Sequence, residues 1–312
     1  MQRNPPDETI SSIDTIAEPS IHTAPHPSAP YVSVPDQSPS WLRSRTPARV
    51  ALRRTGISLA TSEVLNFQLA HARARDAVHA PLQSATLLPA LQQILPEDAP
   101  SPIQLHSQAA NRQTYLQRPD LGRILDAASL QTLATSGKTR AASPDLTIIL
   151  ADGLSALAVE RHAIPLLAHL LPALSKAEPA LRLAPICIVQ QARVAIGDEI
   201  AHTLGAQLAL VLIGERPGLS SPDSLGAYIT WNPSPGITTD ASRNCISNIR
   251  AEGLSYSQAA ARLAYYIREA RSRQTTGIAL KDPEPGQLPQ LAAPSSQKFA
   301  SQQPAESSGE PA

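Results

Sequence analysis

Three polar turns stand where a chain of this pattern can do chemistry: Asp152-Gly153-Leu154-Ser155, Arg193-Val194-Ala195-Ile196-Gly197-Asp198 and Glu215-Arg216-Pro217-Gly218. Each falls near the end of a short run rich in Ile, Val and Leu. In an open α/β sheet, ligands lie outside the carboxyl ends of the strands, where polar groups can be aimed without breaking the packing. A fourth segment, 240–250, carries Arg243-Asn244-Cys245-Ile246-Ser247-Asn248 and joins the others if the chain returns to the same edge. Each turn also has a plainer reading: Asp152 as a helix cap, Glu215-Arg216 as a local ion pair, Cys245 as a buried small hydrophobe.

The patterns of self-contained catalysis are missing. No G-x-G-x-x-G follows a strand and no G-x-x-x-x-G-K-[ST] occurs, which leaves a standard dinucleotide or nucleoside triphosphate cradle unsupported. There is no C-x-x-C pair, and the eight histidines show no H-x-x-x-H pair beside an acid, so neither structural nor hydrolytic zinc is expected. G-x-S-x-G is absent as well. What remains suits a binding role better than a self-sufficient enzyme.

Composition narrows the partners. The 26 basic and 26 acidic residues cancel to a formal charge of +0, so no excess draws the chain onto a nucleic acid or an anionic membrane. The most apolar stretch, 164–174, is interrupted by Pro165, His169 and Pro172 and is far short of a bilayer span. No membrane helix is expected, nor a secretory signal, because no charged start precedes an apolar block. The two cysteines, Cys187 and Cys245, lie in separate segments, as suits a reducing cytosol.

The elements that must hold these turns can be read from periodicity. With 42% hydrophobic residues over 312 positions, the chain has room for two folded domains plus tails. Residues 1–46 and 282–312, rich in Pro, Ser, Thr and Gln, are expected to be disordered tails; inside the first, Ile10, Ile13 and Ile16 recur at helical spacing and suggest a short docking helix.

Residues 47–112 read as a small helical N-terminal domain. Thr61 or Ser62 would cap a helix whose apolar positions Val64, Leu65, Leu69 and Ala72 share one side, and Leu87, Leu88, Leu91, Ile94 and Leu95 mark a second helix. Arg49, Arg53, Arg54, Arg73 and Arg75 make a locally basic surface, solvated or partner-facing.

Residues 113–281 alternate strand and helix patterns, with strands at 146–150, 186–189, 208–213 and 227–231 and helices at 157–174, 198–204 and 257–273. The fold class is therefore α/β, a mostly parallel Rossmann-like doubly wound domain at the C-terminal side of a helical one.

Several runs together resemble the small (light) subunit of ethanolamine ammonia-lyase. They are Leu212-Ile213-Gly214-Glu215-Arg216-Pro217-Gly218-Leu219, Ser224-Leu225, and Arg243-Asn244-Cys245-Ile246-Ser247-Asn248-Ile249. Supporting matches include the run from Tyr115 to Arg123, Asp152-Gly153-Leu154-Ser155, Arg193-Val194 with Asp198, Gly277-Ile278, and Asn66-Phe67-Gln68-Leu69-Ala70-His71-Ala72-Arg73. The likeness spans about residues 48–280. It departs from the family at Arg53, where a glycine is expected.

The resemblance implies a subunit of an adenosylcobalamin-dependent carbon–nitrogen lyase that converts ethanolamine to acetaldehyde and ammonia. It implies a TIM-barrel large subunit holding the substrate, the cofactor in the interface, and an assembly of six large and six small chains. Homolysis of the cobalt–carbon bond would yield the hydrogen-abstracting radical, the cofactor carrying the hard step and protein supplying position and exclusion of water.

Carried over by position, the cobalamin contacts fall on Val194, Glu215 and Cys245, with no catalytic residue and no metal ligand in this chain. Arg216 and Arg243 are secondary candidates for fixing Glu215 or meeting the large subunit. The D-x-H-x-x-G pattern of proteins that replace the cofactor's lower base with histidine is absent, in keeping with the family. A cytoplasmic location, free or inside a bacterial microcompartment, is expected. A non-catalytic assembly module of the same fold is the alternative, and a sugar-nucleotide enzyme on a similar sheet rests on fold analogy alone.

Overall fold

A computed structural model of the protein describes residues 40–46, 48–97, 99–138, 143–283 and 288. Nearly all of both expected tails, including the Ile10–Ile16 helix, lies outside the described residues.

The chain runs α1 (Ser40–Arg43), β1 (Arg54–Thr55), β2 (Ser58–Leu59), α2 (Thr61–His79), α3 (Ser84–Ile94), β3 (Ile103–His106), α4 (Arg112–Gln117), α5 (Ala127–Lys138), β4 (Leu146–Ala151), α6 (Ala156–Ala177), β5 (Cys187–Gln190), α7 (Ile196–Leu204), β6 (Leu208–Gly214), β7 (Leu225–Trp231), β8 (Arg243–Ile249) and α8 (Tyr256–Arg273). It is a mixed α/β structure. Six strands form one sheet in the order β3-β5-β4-β6-β7-β8, and β1 and β2 form a separate two-residue hairpin.

The centre of the sheet is set by apolar runs with no polar alternation. Every residue of β4 and β6 is buried, as strands covered on both faces require. Leu146, Ile148 and Leu150 point into one core with α3, α6 and α8, while Ile149 and Ala151 point into a second with α7. α6 runs unbroken through Pro165 and Pro172. α7 stops at Gly205, whose φ of 68° closes the helix in the left-handed region that glycine enters without a Cβ penalty.

Five features differ from the sequence reading. The strands β5, β4 and β6 are parallel as expected, with β3 parallel beside them, but β7 pairs antiparallel with both β6 and β8. The links 215–224 and 232–242 contain no α-helix to carry the chain back over the sheet, so each returns as a hairpin. The segment 240–250 supplies a full strand, β8, and Ile103–His106, inside the stretch expected to be helical, is the edge strand β3.

At the start of α2 the N-cap is Ala60, not Thr61 or Ser62, and no side chain caps the helix. The Ser62 hydroxyl instead accepts from Arg53 at 2.8 Å, and Glu63 is buried between Arg43 and Arg53. Arg53 thus ties the hairpin to α2. Finally, Val64, Leu65 and Leu69, expected to pack, are exposed, as is Phe67.

Candidate functional site

The connections around β4 create a crevice. β4 leads through α6 to β5 on one side, and β5 leads through α7 to β6 on the other, so the crossovers diverge where the carboxyl ends of β4 and β6 lie side by side. That divergence leaves a gap above the strand ends. A cavity of about 420 Å³ lies there, bordered by Tyr115, Gly153, Arg193, Val194, Glu215, Arg216 and Tyr228.

Two glycines let the strand ends meet. Gly153, at φ 57°, brings the turn after β4 against the end of β6, and Leu154 N–H donates to the Gly214 carbonyl at 2.9 Å. A Cβ on Gly153 would overlap the Gly214 carbonyl, and one on Gly214 would overlap that of Ser155. Neither position admits a larger residue without separating β4 from β6.

Below this floor is a stack of charged and aromatic groups. Asp152 is fully buried and accepts from the backbone N–H groups of Gln191 at 2.8 Å and Ala192 at 2.9 Å, with Arg112 Nη1 at 3.3 Å. It is a bridge between β4 and the β5–α7 turn, not a helix cap. Burial pushes its pKa up, against those N–H donors and the Arg112 charge. Arg112 also donates to the carbonyls of Val78 and Gly153.

Two guanidinium groups lie over the Tyr115 ring, Arg112 at 4.8 Å and Arg193 at 4.3 Å from its centre, and its hydroxyl donates to the Ala192 carbonyl at 2.9 Å. Burial raises the phenol pKa well above its ordinary value. Gly122 makes the room: a Cβ there would stand 2.9 Å from the Tyr115 ring and 3.0 Å from Arg193. Arg193 Nε is buried with no hydrogen-bond partner.

On the far side, Glu215 is half-buried. Its backbone N–H donates to the Ser224 carbonyl at 2.9 Å, and the Ser224 hydroxyl donates to Oε2 at 2.8 Å, so the carboxylate is tied across the mouth of the β6–β7 link. Tyr228 follows on β7 and faces Cys245 across the β7–β8 ladder. Partial burial of the sulfur, and then the Glu215 charge, push the Cys245 thiol pKa up, against a hydrogen bond with Tyr228. A thiol so placed is not a nucleophile near neutral pH.

Val194 and Glu215 therefore border the same cleft. Cys245 is exposed at its margin, beside Tyr228, and itself borders a separate cavity of about 320 Å³ with Arg262, Tyr266 and Asp282. Arg216 is exposed at the cleft, and among the described residues it makes no ion pair with Glu215. Arg243 does not fix Glu215. Its guanidinium is buried against Asp198, at 2.8 and 2.6 Å, and against Thr230 at 2.9 Å. Asn244 is likewise structural, holding Gly277 and Leu280 through their backbones.

Sequence reasoning missed Tyr115, Ser224 and Tyr228 as parts of the site, although Tyr115 and Ser224 stand inside the runs that carry the family resemblance. Gly226, which gives Glu215 its space, had no local signal.

The family model for the ethanolamine ammonia-lyase light chain matches residues 36–281. The ethanolamine ammonia-lyase small subunit of Pseudomonas fluorescens (strain Pf0-1) is 54% identical over 251 residues, covering 80% of this chain and 89% of that protein. That of Pseudomonas aeruginosa (strain LESB58) is 53% identical over 257 residues, covering 80% and 90%. That of Pseudomonas syringae pv. tomato (strain ATCC BAA-871 / DC3000) is 54% identical over 244 residues, covering 78% and 83%. With most of its length matched at this identity, and with the shared runs converging on one cleft, the chain belongs to the ethanolamine ammonia-lyase light-chain family.

Proposed function

We propose that this chain is the small subunit of an adenosylcobalamin-dependent ethanolamine ammonia-lyase, which converts ethanolamine to acetaldehyde and ammonia, and that its cleft forms one wall of the cofactor site. The observation that carries this reading is the convergence of Val194 and Glu215 on one cleft, with Cys245 at its margin. The sheet, read as a Rossmann-like doubly wound domain over about 113–281 with β3 added to its edge from the 47–112 block, presents that wall at its strand ends.

The residues fit the group. Corrin side chains end in amides, and Glu215, oriented by Ser224, offers carboxylate oxygen to such donors. The turn at Val194 brings backbone to the cleft, and Gly153 and Gly214 keep the floor free of side chains. Cys245 adds a small apolar contact without reactivity. When bound, the cofactor supplies the radical chemistry; the residues of this chain hold it in place and exclude water from one side.

A wall needs an opposite wall. The reading assigns that to a TIM-barrel large subunit, in an assembly of six large and six small chains, and leaves the isolated small subunit without turnover. Among the described residues no helix is long and apolar enough to cross a membrane. We place the assembly in the cytoplasm, free or in a microcompartment.

The test is co-expression with the large subunit, followed by the absorbance spectrum of the purified pair and an ethanolamine-dependent ammonia assay with and without added cofactor. Cobalamin absorbance with cofactor-dependent ammonia release is expected. A pair that assembles and takes up no cobalamin would be a scaffold of the same fold, and the proposal would fall.

A further inference from the structure

We propose that Arg193, with Arg216 beside it, receives the phosphodiester of the cofactor's nucleotide loop, an inference that rests on the cofactor reading above. It is carried by the charges of the cleft and by where each one is already spent.

The acids near the cleft are committed. Asp152 is paired with Arg112 and two backbone N–H groups. In the first turn of α7, Asp198 is bound to Arg243, and Glu199 accepts from the Leu125 N–H at 2.7 Å. Glu215 is tied to Ser224.

The cations are not. Among the described residues, neither Arg193 nor Arg216 meets a carboxylate at ion-pair distance. Arg193 is also stacked on Tyr115 at 4.3 Å, which fixes the plane of its fork, and its Nε is buried without an acceptor. A donor desolvated in that way is costly until an acceptor arrives.

Set against the single charge of Glu215, the two arginines leave one positive charge over. The leading ends of α6 and α7 also open at this cleft, just after Leu154 and Val194, and helix starts favour negative charge.

The ligand that matches is an anion of charge one with two oxygens in a plane, which a guanidinium fork meets bidentately. In cobalamin the corrin side chains are neutral amides, and the phosphodiester is the one anionic group. The cleft thus has two poles, a carboxylate for amides at Glu215 and a guanidinium for phosphate at Arg193. A carboxylate of the large subunit is the rival occupant.

The experiment uses the assembled complex with the large subunit and measures equilibrium dialysis of cyanocobalamin, cobinamide phosphate and cobinamide, the last lacking the phosphate. Arg193→Gln should weaken the two phosphate-bearing ligands by roughly tenfold or more, the scale of one charge-assisted pair, and leave cobinamide within about twofold. Equal loss for all three, or no loss for any, would overturn the assignment. Failure of the parent complex to bind any of the three would instead overturn the cofactor reading itself.

If the variant does not assemble, the parent complex decides the matter by salt. Affinity for cyanocobalamin and cobinamide phosphate should fall as NaCl rises while that for cobinamide holds, and parallel behaviour of all three would refute the phosphate contact.

Discussion

Glu215 lies across Gly226 so closely that a Cβ on the glycine would stand 2.7 Å from Oε1 and 3.1 Å from Cγ. The glycine is on β7, the carboxylate on the turn after β6, and Ser224 between them supplies the hydroxyl that holds Oε2. A strand residue without a side chain thus sets where the Glu215 carboxylate points.

Gly226→Ala should therefore displace the Glu215 side chain while the strand stays paired, since what it meets is the far end of a flexible group. We expect cobalamin affinity of the complex to fall toward that of Glu215→Ala, with thermal stability within a few degrees of the parent. In the double variant the two losses should not add. Full additivity would mean that Gly226 acts elsewhere.

Arg243 and Asp198 form an ion pair whose side chains are only 3% and 4% exposed. Removing one partner leaves the other charge buried, which costs about 3–5 kcal/mol. Arg243→Ala should lower the denaturant midpoint on that scale. An unchanged midpoint would show that the pair contributes nothing to stability.

The exposed side of α2 gives a prediction about assembly. Leu65 and Leu69, four residues apart on one face of the helix, are 58% and 50% exposed, an apolar surface that water does not favour. The chain alone should self-associate with rising concentration, and Leu65→Lys with Leu69→Lys should suppress this without changing the far-ultraviolet circular dichroism. Light scattering that shows a concentration-independent monomer in the parent would contradict it.

Acid should destabilise the fold from near neutrality downward. Burial lowers the pKa of His162, against the attraction of Asp223, and lowers that of His169, both from an ordinary value of 6.5. A histidine depressed in the fold stays neutral there while the unfolded chain takes up a proton. Its contribution is thus whole above 6.5 and is lost as pH falls through the folded value. Asp223, held low by Arg161 at 2.8 Å and by His162 although burial opposes it, loses its share further into acid. Tm measured from about pH 7.5 to about pH 5.5 should decline, and His162→Gln should flatten part of the slope. A level profile would count against buried neutral histidines.

How much of this was legible beforehand follows from the range of each interaction. Runs such as Leu146-Thr147-Ile148-Ile149-Leu150 and Leu208-Ala209-Leu210-Val211-Leu212-Ile213 are buried strands whatever surrounds them, because an apolar run this continuous needs cover on both faces, and Gly205 ends α7 by its own backbone freedom. Family-like runs marked Val194, Glu215 and Cys245 from residue type and order alone. Partners were another matter. Arg243 finds Asp198, Tyr115 finds Arg193, and Asp152 finds Arg112 across long stretches of chain. These pairings depend on which strands lie side by side and in which direction they run. Local periodicity sets the period and length of an element, but the direction of β7 and β8 and the meeting of β4 with β6 come only from the path of the links between them. That is why Val194, Glu215 and Cys245 could be singled out from the sequence, while the presence of Tyr115 and Tyr228 beside them, and what holds each of these residues in place, was decided by the tertiary structure.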